Sequence, residues 1–163
     1  GVQPDVKVEF AKQTPITKAI LGENLVFNFA TDYYYSNTVD DLTKFELSDN
    51  EFKSFKNYLK TTGFNFETKT EKALSDAMNI AKDEELEGVI NSEYHNLSAA
   101  LQAYKSNAID GNKVQLKSLL TDEIIKRYFY SEGLYTYYTV NNPEIKKAVS
   151  ILNNPSQYTS ILK

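Results

Sequence analysis

The chain has 163 residues, of which 41% are hydrophobic and 25% charged, and its formal net charge is −4. These values are typical of a folded domain with one core and argue against a chain that is disordered throughout. The acidic balance, without any basic run, argues against a nucleic-acid partner. No apolar stretch is long enough to span a bilayer. Cysteine is absent, which excludes disulfides, Cys-based zinc sites and Cys nucleophiles.

The first ten residues, GVQPDVKVEF, differ in pattern from the rest of the chain. Val6, Val8 and Phe10 alternate with charged residues, and this period of two predicts a half-buried β-strand. A strand needs a neighbour that satisfies its backbone N–H and C=O groups. The following sequence is mainly helical in pattern, so the identity of that neighbour is an open question.

The first helix is expected to begin at Thr14-Pro15, where Thr14 can cap and Pro15 suits the first helical position. Its apolar residues recur at helical spacing to about Tyr35 and cover a wide stripe, which indicates a central helix. A polar loop is expected over residues 36–44.

A short second helix is predicted after the capping box that runs from Ser48 to Glu51. It presents an apolar face and ends at Gly63, a candidate left-handed cap. The flanking segments 45–47 and 64–66 alternate in polarity and are a candidate two-stranded β ribbon.

Three longer helical patterns follow. One covers residues 70–81, and the next starts in the acidic cluster at residues 83–87, since acidic side chains favour the positive end of a helix dipole. Its apolar seam comprises Leu86, Val89, Ile90, Tyr94, Leu97, Leu101 and Tyr104. The third follows a turn at residues 110–112 and contains an irregularity at Gly133.

The last predicted helix begins at Asn142-Pro143, with Asn142 as its cap. Ile145, Val149 and Leu152 are expected to face inward, and residues 153–163 are expected to form a tail that docks through Tyr158, Ile161 and Leu162. The predicted fold class is mainly α: a bundle-like domain of five to six helices, with an N-terminal extended strand and a candidate β ribbon.

Candidate chemical groups are few. His95, the one histidine, has Asn at 91 and Ala at 99, so it lacks a metal ligand at helical spacing, and a surface or interface position is expected. The acidic cluster lacks the spaced oxygens and glycine turn of a calcium loop. No nucleotide-binding or nucleophile-elbow motif occurs. The sequence therefore predicts no catalytic, cofactor-binding or metal-ligating residue in this chain, and no cofactor.

Tyrosine and phenylalanine are the compositional bias, with 12 Tyr and 9 Phe. The tyrosines cluster at 33–35, 128–130 and 135–138, and consecutive residues on a helix point in different directions. Some members of each cluster must therefore leave the core. They are either a contact surface, for which Tyr is well suited, or boundary packing with hydroxyls in water.

The segment Gly1–Val6 matches the pattern G-[IV]-x-P-D-[IV] and resembles the turn and strand near the end of the peptidase core in carboxyl-terminal processing peptidases, the tail-specific serine proteases. Four further segments resemble the helical region that follows this motif in long family members from Bacteroidetes-type bacteria: TPITKAILGENLVFNFATDYYYSN, FELSDNEFKSFKNYLK, EIIKRYFYSEG and YTSILK.

The resemblance implies a parent enzyme that cuts near protein C-termini with a serine nucleophile, a lysine base and a PDZ domain. Those motifs lie upstream of the matched turn, so no catalytic residue is carried over to this chain. Residues 1–13 would be a strand of the upstream peptidase core, and residues 14–163 a helical C-terminal accessory domain.

The implied partners are the peptidase core and PDZ domain of the same polypeptide, the protein substrates of the parent enzyme, and a second copy in a homo-oligomer, without nucleic acid or a membrane span. The implied location is the periplasm or cell envelope. The expected role is structural, in substrate access or in oligomerisation. The alternative is a free-standing helical module that binds protein or glycan through a Tyr-rich face.

Overall fold

The computed structural model describes residues 3, 5–8 and 13–162, and all elements below lie within them. The described part of the chain is mainly helical, which confirms the predicted class. It contains a 3-10 helix at Leu42–Lys44 and eight α-helices: α1 Pro15–Gly22, α2 Leu25–Ser36, α3 Asp49–Thr61, α4 Lys69–Asp83, α5 Glu87–Gly111, α6 Lys113–Asn141, α7 Pro143–Leu152 and α8 Pro155–Ile161.

The predicted β structure is not found. Residues 3, 5–8 and 13–162 contain no strand, so the ribbon predicted for 45–47 and 64–66 is wrong. One apolar residue in each segment, Leu47 and Phe66, is buried. Burial of these single residues explains why apolar and polar residues alternate there without forming a strand. The strand predicted for residues 1–10 falls partly on residues 1, 2, 4, 9 and 10, which lie outside the described residues.

The single long helix predicted from Pro15 to about Tyr35 is two helices in the structure. Thr14 caps α1 as predicted, accepting from the Thr17 N–H, with Pro15 in the first turn. The helix then stops because Asn24 adopts the left-handed conformation, with φ of 57°. Asparagine tolerates that conformation better than most residues, so the chain restarts as α2 at Leu25.

The chain divides into two compact units, which are described separately. Among the described residues, the first unit comprises residues 3, 5–8, 26–48 and 117–162, and the second comprises Gln13–Leu25 and Asp49–Leu116.

In the second unit, α3 buries the predicted Phe52, Phe55 and Leu59. Gly63 has a φ of 71°, and the Phe64 N–H donates to the Leu59 carbonyl at 3.1 Å. This confirms the left-handed cap, because the bond closes the loop typical of a Schellman motif.

Helices α4 and α5 pack together in the second unit. Lys105 near the end of α5 contacts Glu71 at the start of α4. Lys82 at the end of α4 contacts Glu87 at the start of α5, so the pair is antiparallel.

A capping box between Thr68 and Glu71 starts α4, slightly earlier than predicted. The acidic cluster does not start a helix as a group. Asp83 ends α4, Glu87 begins α5, and Glu85 turns the chain with a φ of 60°. The helix boundary therefore falls inside the cluster.

In the first unit, α2 and α6 supply most of the buried residues: Val26, Phe29, Ala30, Tyr33, Leu120, Ile124, Ile125 and Leu134. The irregularity predicted at Gly133 in α6 lies at Tyr130, where φ is 58° and ψ is −165°. Asn142 caps α7 as predicted, with its Oδ1 accepting from the Glu144 and Ile145 N–H groups.

The inward orientation predicted for α7 is wrong. Ile145, Val149 and Leu152 are 38%, 48% and 63% exposed. The predicted tail contains α8, which contacts α7. Ile161 is half-buried, whereas Tyr158 and Leu162 are exposed, so docking through those two side chains is not found. Periodicity shows which residues share a face, but it cannot show what covers that face.

Candidate functional site

His95 lies exposed on α5. Its Nδ1 is 2.8 Å from the backbone oxygen of Asn91, and the neighbouring ring is that of Tyr94, 5.6 Å away between centroids. Within residues 3, 5–8 and 13–162, no three His, Cys, Asp or Glu side chains converge in an arrangement that could hold a metal ion. The local geometry therefore gives His95 a helix-surface environment.

The first tyrosine cluster separates into buried and exposed members. Tyr33 is buried among the core residues of α2, whereas Tyr35 is 80% exposed. Tyr34 lies between these extremes, with its ring 4.8 Å from that of Tyr128 on α6. The expectation that some clustered tyrosines leave the core is confirmed for this segment.

The hydroxyl of Tyr128 fixes the chain that follows α2. It donates to the Asn37 carbonyl at 2.6 Å and lies 3.3 Å from the Tyr34 carbonyl. Burial of the hydroxyl is the larger cause that raises the pKa of Tyr128 above its usual value, and the nearby Tyr34 adds a smaller rise. Tyr128 is thus a structural donor that ties α6 to the end of α2.

The α7 face, defined as Ile145, Val149 and Leu152, is an apolar surface of the first unit. These residues stand at positions i, i+4 and i+7, so they form one stripe along the helix. The opposite side of α7 carries polar residues, including Lys147 and Ser150. Every residue of α7 is exposed or half-buried, so the stripe is available to a partner.

A second stripe of exposed apolar residues lies on α5, in the second unit. It consists of Val89, Leu97 and Tyr104. The apolar seam predicted for α5 is therefore divided: Ile90, Tyr94 and Leu101 are half-buried, whereas the stripe is exposed. Sequence reasoning missed both exposed stripes, because an amphipathic pattern looks the same in a core helix and in a docking helix.

Over residues 13–162, no helix combines sufficient length with sufficient apolar character to cross a bilayer.

Comparison with known families gives a match over most of the chain. A family model described as the C-terminal helical domain of a probable PDZ-protease matches residues 16–152. No curated protein and no solved structure matches the chain. The matched residues run from the first turn of α1 to the last residue of α7. The chain therefore belongs to the family of C-terminal helical domains of probable PDZ-proteases.

Proposed function

We propose that this chain is a non-catalytic accessory domain of a tail-specific serine peptidase, and that it acts by packing against the protease portion of the same polypeptide. The observation that carries the proposal is the family match over residues 16–152. The proposed role is to shape substrate access to the catalytic core or to hold subunits together. The proposed location is the periplasm or cell envelope.

The serine and lysine chemistry is assigned to the protease portion. This assignment rests on the resemblance of Gly1–Val6 to the turn that closes the peptidase core in tail-specific proteases. A serine nucleophile needs a base within hydrogen-bond reach and an oxyanion hole beside it. In the proposal those groups, together with the PDZ domain that receives substrate tails, precede the helical domain.

The α7 face supports the packing role. Its three large aliphatic side chains form a continuous exposed stripe, and such stripes mark interaction sites when they are rimmed by polar residues. A partner in the same polypeptide is present at high effective concentration, so a modest apolar contact suffices to hold the two parts together. We therefore assign the protease portion as the occupant of the α7 face.

A truncation tests the role of the whole domain. The full-length protease is compared with a version that ends before Thr14, using cleavage of an unstructured peptide with an apolar C-terminus and the solution mass. We expect the truncation to change the cleavage rate or the oligomer size. Unchanged folding, activity and mass would refute the proposal. Hydrolysis of the peptide by the purified helical chain alone would refute its non-catalytic part.

A pair of substitutions tests the α7 face within the full-length protease. Val149→Asp places a charge on the apolar stripe, whereas Ser150→Asp places the same charge on the opposite side of the same helix. Both positions are exposed, so both variants should fold. We expect only Val149→Asp to reproduce the effect of the truncation. Equal behaviour of the two variants would reject this face as the contact with the protease portion.

A further inference from the structure

Helix α6 folds back on itself. Its residues have helical backbone angles except at Tyr130, and the Tyr138 hydroxyl donates to Asp122 Oδ2 at 2.7 Å. These residues are 16 apart in sequence, which corresponds to about 24 Å along a straight helix. Two side chains cannot bridge that distance. Residues 131–141 must therefore lie back along the first part of α6, with Tyr130 midway between the bonded residues.

The turn at Tyr130 is strained. Its φ of 58° and ψ of −165° place it in a region that essentially only glycine occupies. The Tyr130 side chain is 74% exposed, so burial of its ring provides little to offset this strain. A bulky residue in this conformation must be held there by contacts made elsewhere.

Those contacts begin beside the turn and continue along the chain to Asn141. A Cβ on Gly133 would overlap the Cβ of Phe129, so the absence of a side chain lets the two arms of α6 approach. Leu134 is buried, and further along the arm Asn141 Nδ2 donates to the Thr43 carbonyl at 2.9 Å. The residues beyond, in α7 and α8, are all exposed or half-buried.

We propose that Tyr130 is a hinge and that residues 131–162 form a swinging arm. The folded-back arm exchanges with an extended arm in which Tyr130 takes helical angles and α6 continues as one helix. Extension relieves the strain and adds helical hydrogen bonds. It also exposes Leu134 and breaks the hydrogen bonds from Tyr138 to Asp122 and from Asn141 to Thr43. The exchange carries the α7 face to a different position in the first unit.

Distance measurements between spin labels test the hinge. The chain has no native cysteine, so Ser118→Cys and Thr139→Cys provide two unique exposed labelling sites, one on each arm. Along a straight helix these sites would be about 32 Å apart. Side-by-side helices have axes about 8–10 Å apart, so the folded-back arm holds the sites much closer. Double electron–electron resonance should resolve a short population and a long one.

Two kinds of substitution should shift the populations in opposite directions. Glycine at Tyr130 should favour the folded-back arm, and loss of the hydrogen bond between Tyr138 and Asp122 should favour the extended arm. Tyr130→Gly removes the strain of the turn and weakens a continuous helix, whereas Tyr130→Ala removes the same ring but keeps a strained turn. The ratio of long to short distances should be about tenfold lower for Tyr130→Gly than for Tyr130→Ala. Tyr138→Phe should raise the ratio above that of the unsubstituted chain, since it removes only the hydroxyl.

Two results would overturn the proposal. One is a single short distance in the unsubstituted chain, in Tyr130→Ala and in Tyr138→Phe. The other is the same ratio for Tyr130→Gly and Tyr130→Ala, because the two variants differ only in backbone preference. Both outcomes are independent of the proposed association with a protease, since the measurement uses this chain alone.

Discussion

The guanidinium of Arg127 lies over the ring of Phe27, 3.9 Å from its centroid. The same group donates from Nη2 to the Phe27 carbonyl at 3.1 Å and from Nε to the Thr31 hydroxyl at 3.0 Å. Phe27 is 52% exposed, so its ring serves as a platform for the cation rather than as core. One side chain thus links α6 to α2 within the first unit.

Replacing Arg127 by lysine should destabilise the chain. Lysine keeps the charge, but it cannot stack a planar group on the ring and donate in two directions at once. We expect Arg127→Lys to lower the free energy of unfolding by about 1–2 kcal/mol, measured by urea denaturation. The control is Lys147→Arg on the polar side of α7, which should change the free energy of unfolding by less than about 0.5 kcal/mol. Equal values for the two variants would contradict the assigned role.

Glu71 should make stability depend on acidic pH. Its carboxylate accepts from the Thr68 N–H at 2.7 Å and from Lys105 Nζ at 2.9 Å. The bond from Thr68 is the largest cause that holds the pKa of Glu71 below its ordinary 4.5, against the opposing effect of burial, and Lys105 adds to the lowering. A lowered pKa in the folded state stabilises the fold above pH 4.5, and this stabilisation is lost as the pH falls through the folded pKa.

The variant Glu71→Gln tests that dependence. The variant should be less stable than the unsubstituted chain at pH 7. This difference in the free energy of unfolding should shrink as the pH falls towards about 3, which is about one unit below the ordinary pKa of a glutamate. Denaturation at several pH values measures both curves. Asp76→Asn, an exposed substitution on the same helix, should leave the free energy of unfolding at pH 7 within about 0.5 kcal/mol. Parallel curves for Glu71→Gln and the unsubstituted chain would show that Glu71 contributes no such term.

Gly133 is predicted to tolerate no side chain. An added Cβ would overlap Phe129 and reach Ile125 Cγ2 at 4.0 Å, so Gly133→Ala should cost about 1–3 kcal/mol through overpacking. Gly88→Ala is the matched control in α5, where the added Cβ would meet open space among the described residues. It should stabilise the chain by about 0.5–1 kcal/mol through helix propensity. Thermal unfolding distinguishes the opposite signs, and a stabilising Gly133→Ala would contradict the close approach.

Asn142 should control the order of α7. Its Oδ1 accepts from Glu144 N at 2.9 Å and Ile145 N at 3.0 Å. With limited burial along α7, loss of a cap worth about 1 kcal/mol should fray the helix. Asn142→Ala should therefore speed hydrogen exchange of the α7 amides by about fivefold, since 1.4 kcal/mol corresponds to tenfold. Asn142→Asp keeps the acceptor and should retain the exchange rates of the unsubstituted chain. Unchanged exchange in Asn142→Ala would show that the cap does not control the opening of α7.

Local sequence signals predicted the helix starts well. Thr14 with Pro15, and Asn142 with Pro143, form their caps within a few residues of chain, so short stretches contain the needed information. The Gly63 cap is likewise local, since only glycine meets its conformation without strain. These features could be predicted without knowledge of the packing.

Features that depend on packing could not be predicted. The backbone reversal at Tyr130 contradicts local preference, because tyrosine disfavours that conformation, and only contacts such as Tyr138 with Asp122 hold it. The stripe that contains Val149 has the pattern of a core helix, yet it is exposed. Its accessibility depends on what packs beside α7, which the sequence of α7 does not contain.

Hydrogen exchange of the α7 amides in the full-length protease, compared with that in the helical chain alone, tests the central claim most directly. If the protease portion covers the α7 face, as we propose, exchange in α7 should slow by at least about tenfold in the full-length protein, because covering the helix suppresses its local opening. The Val149→Asp substitution should abolish that protection, whereas Ser150→Asp should retain it. Equal exchange rates for α7 in the full-length protein and in the isolated chain would contradict the account.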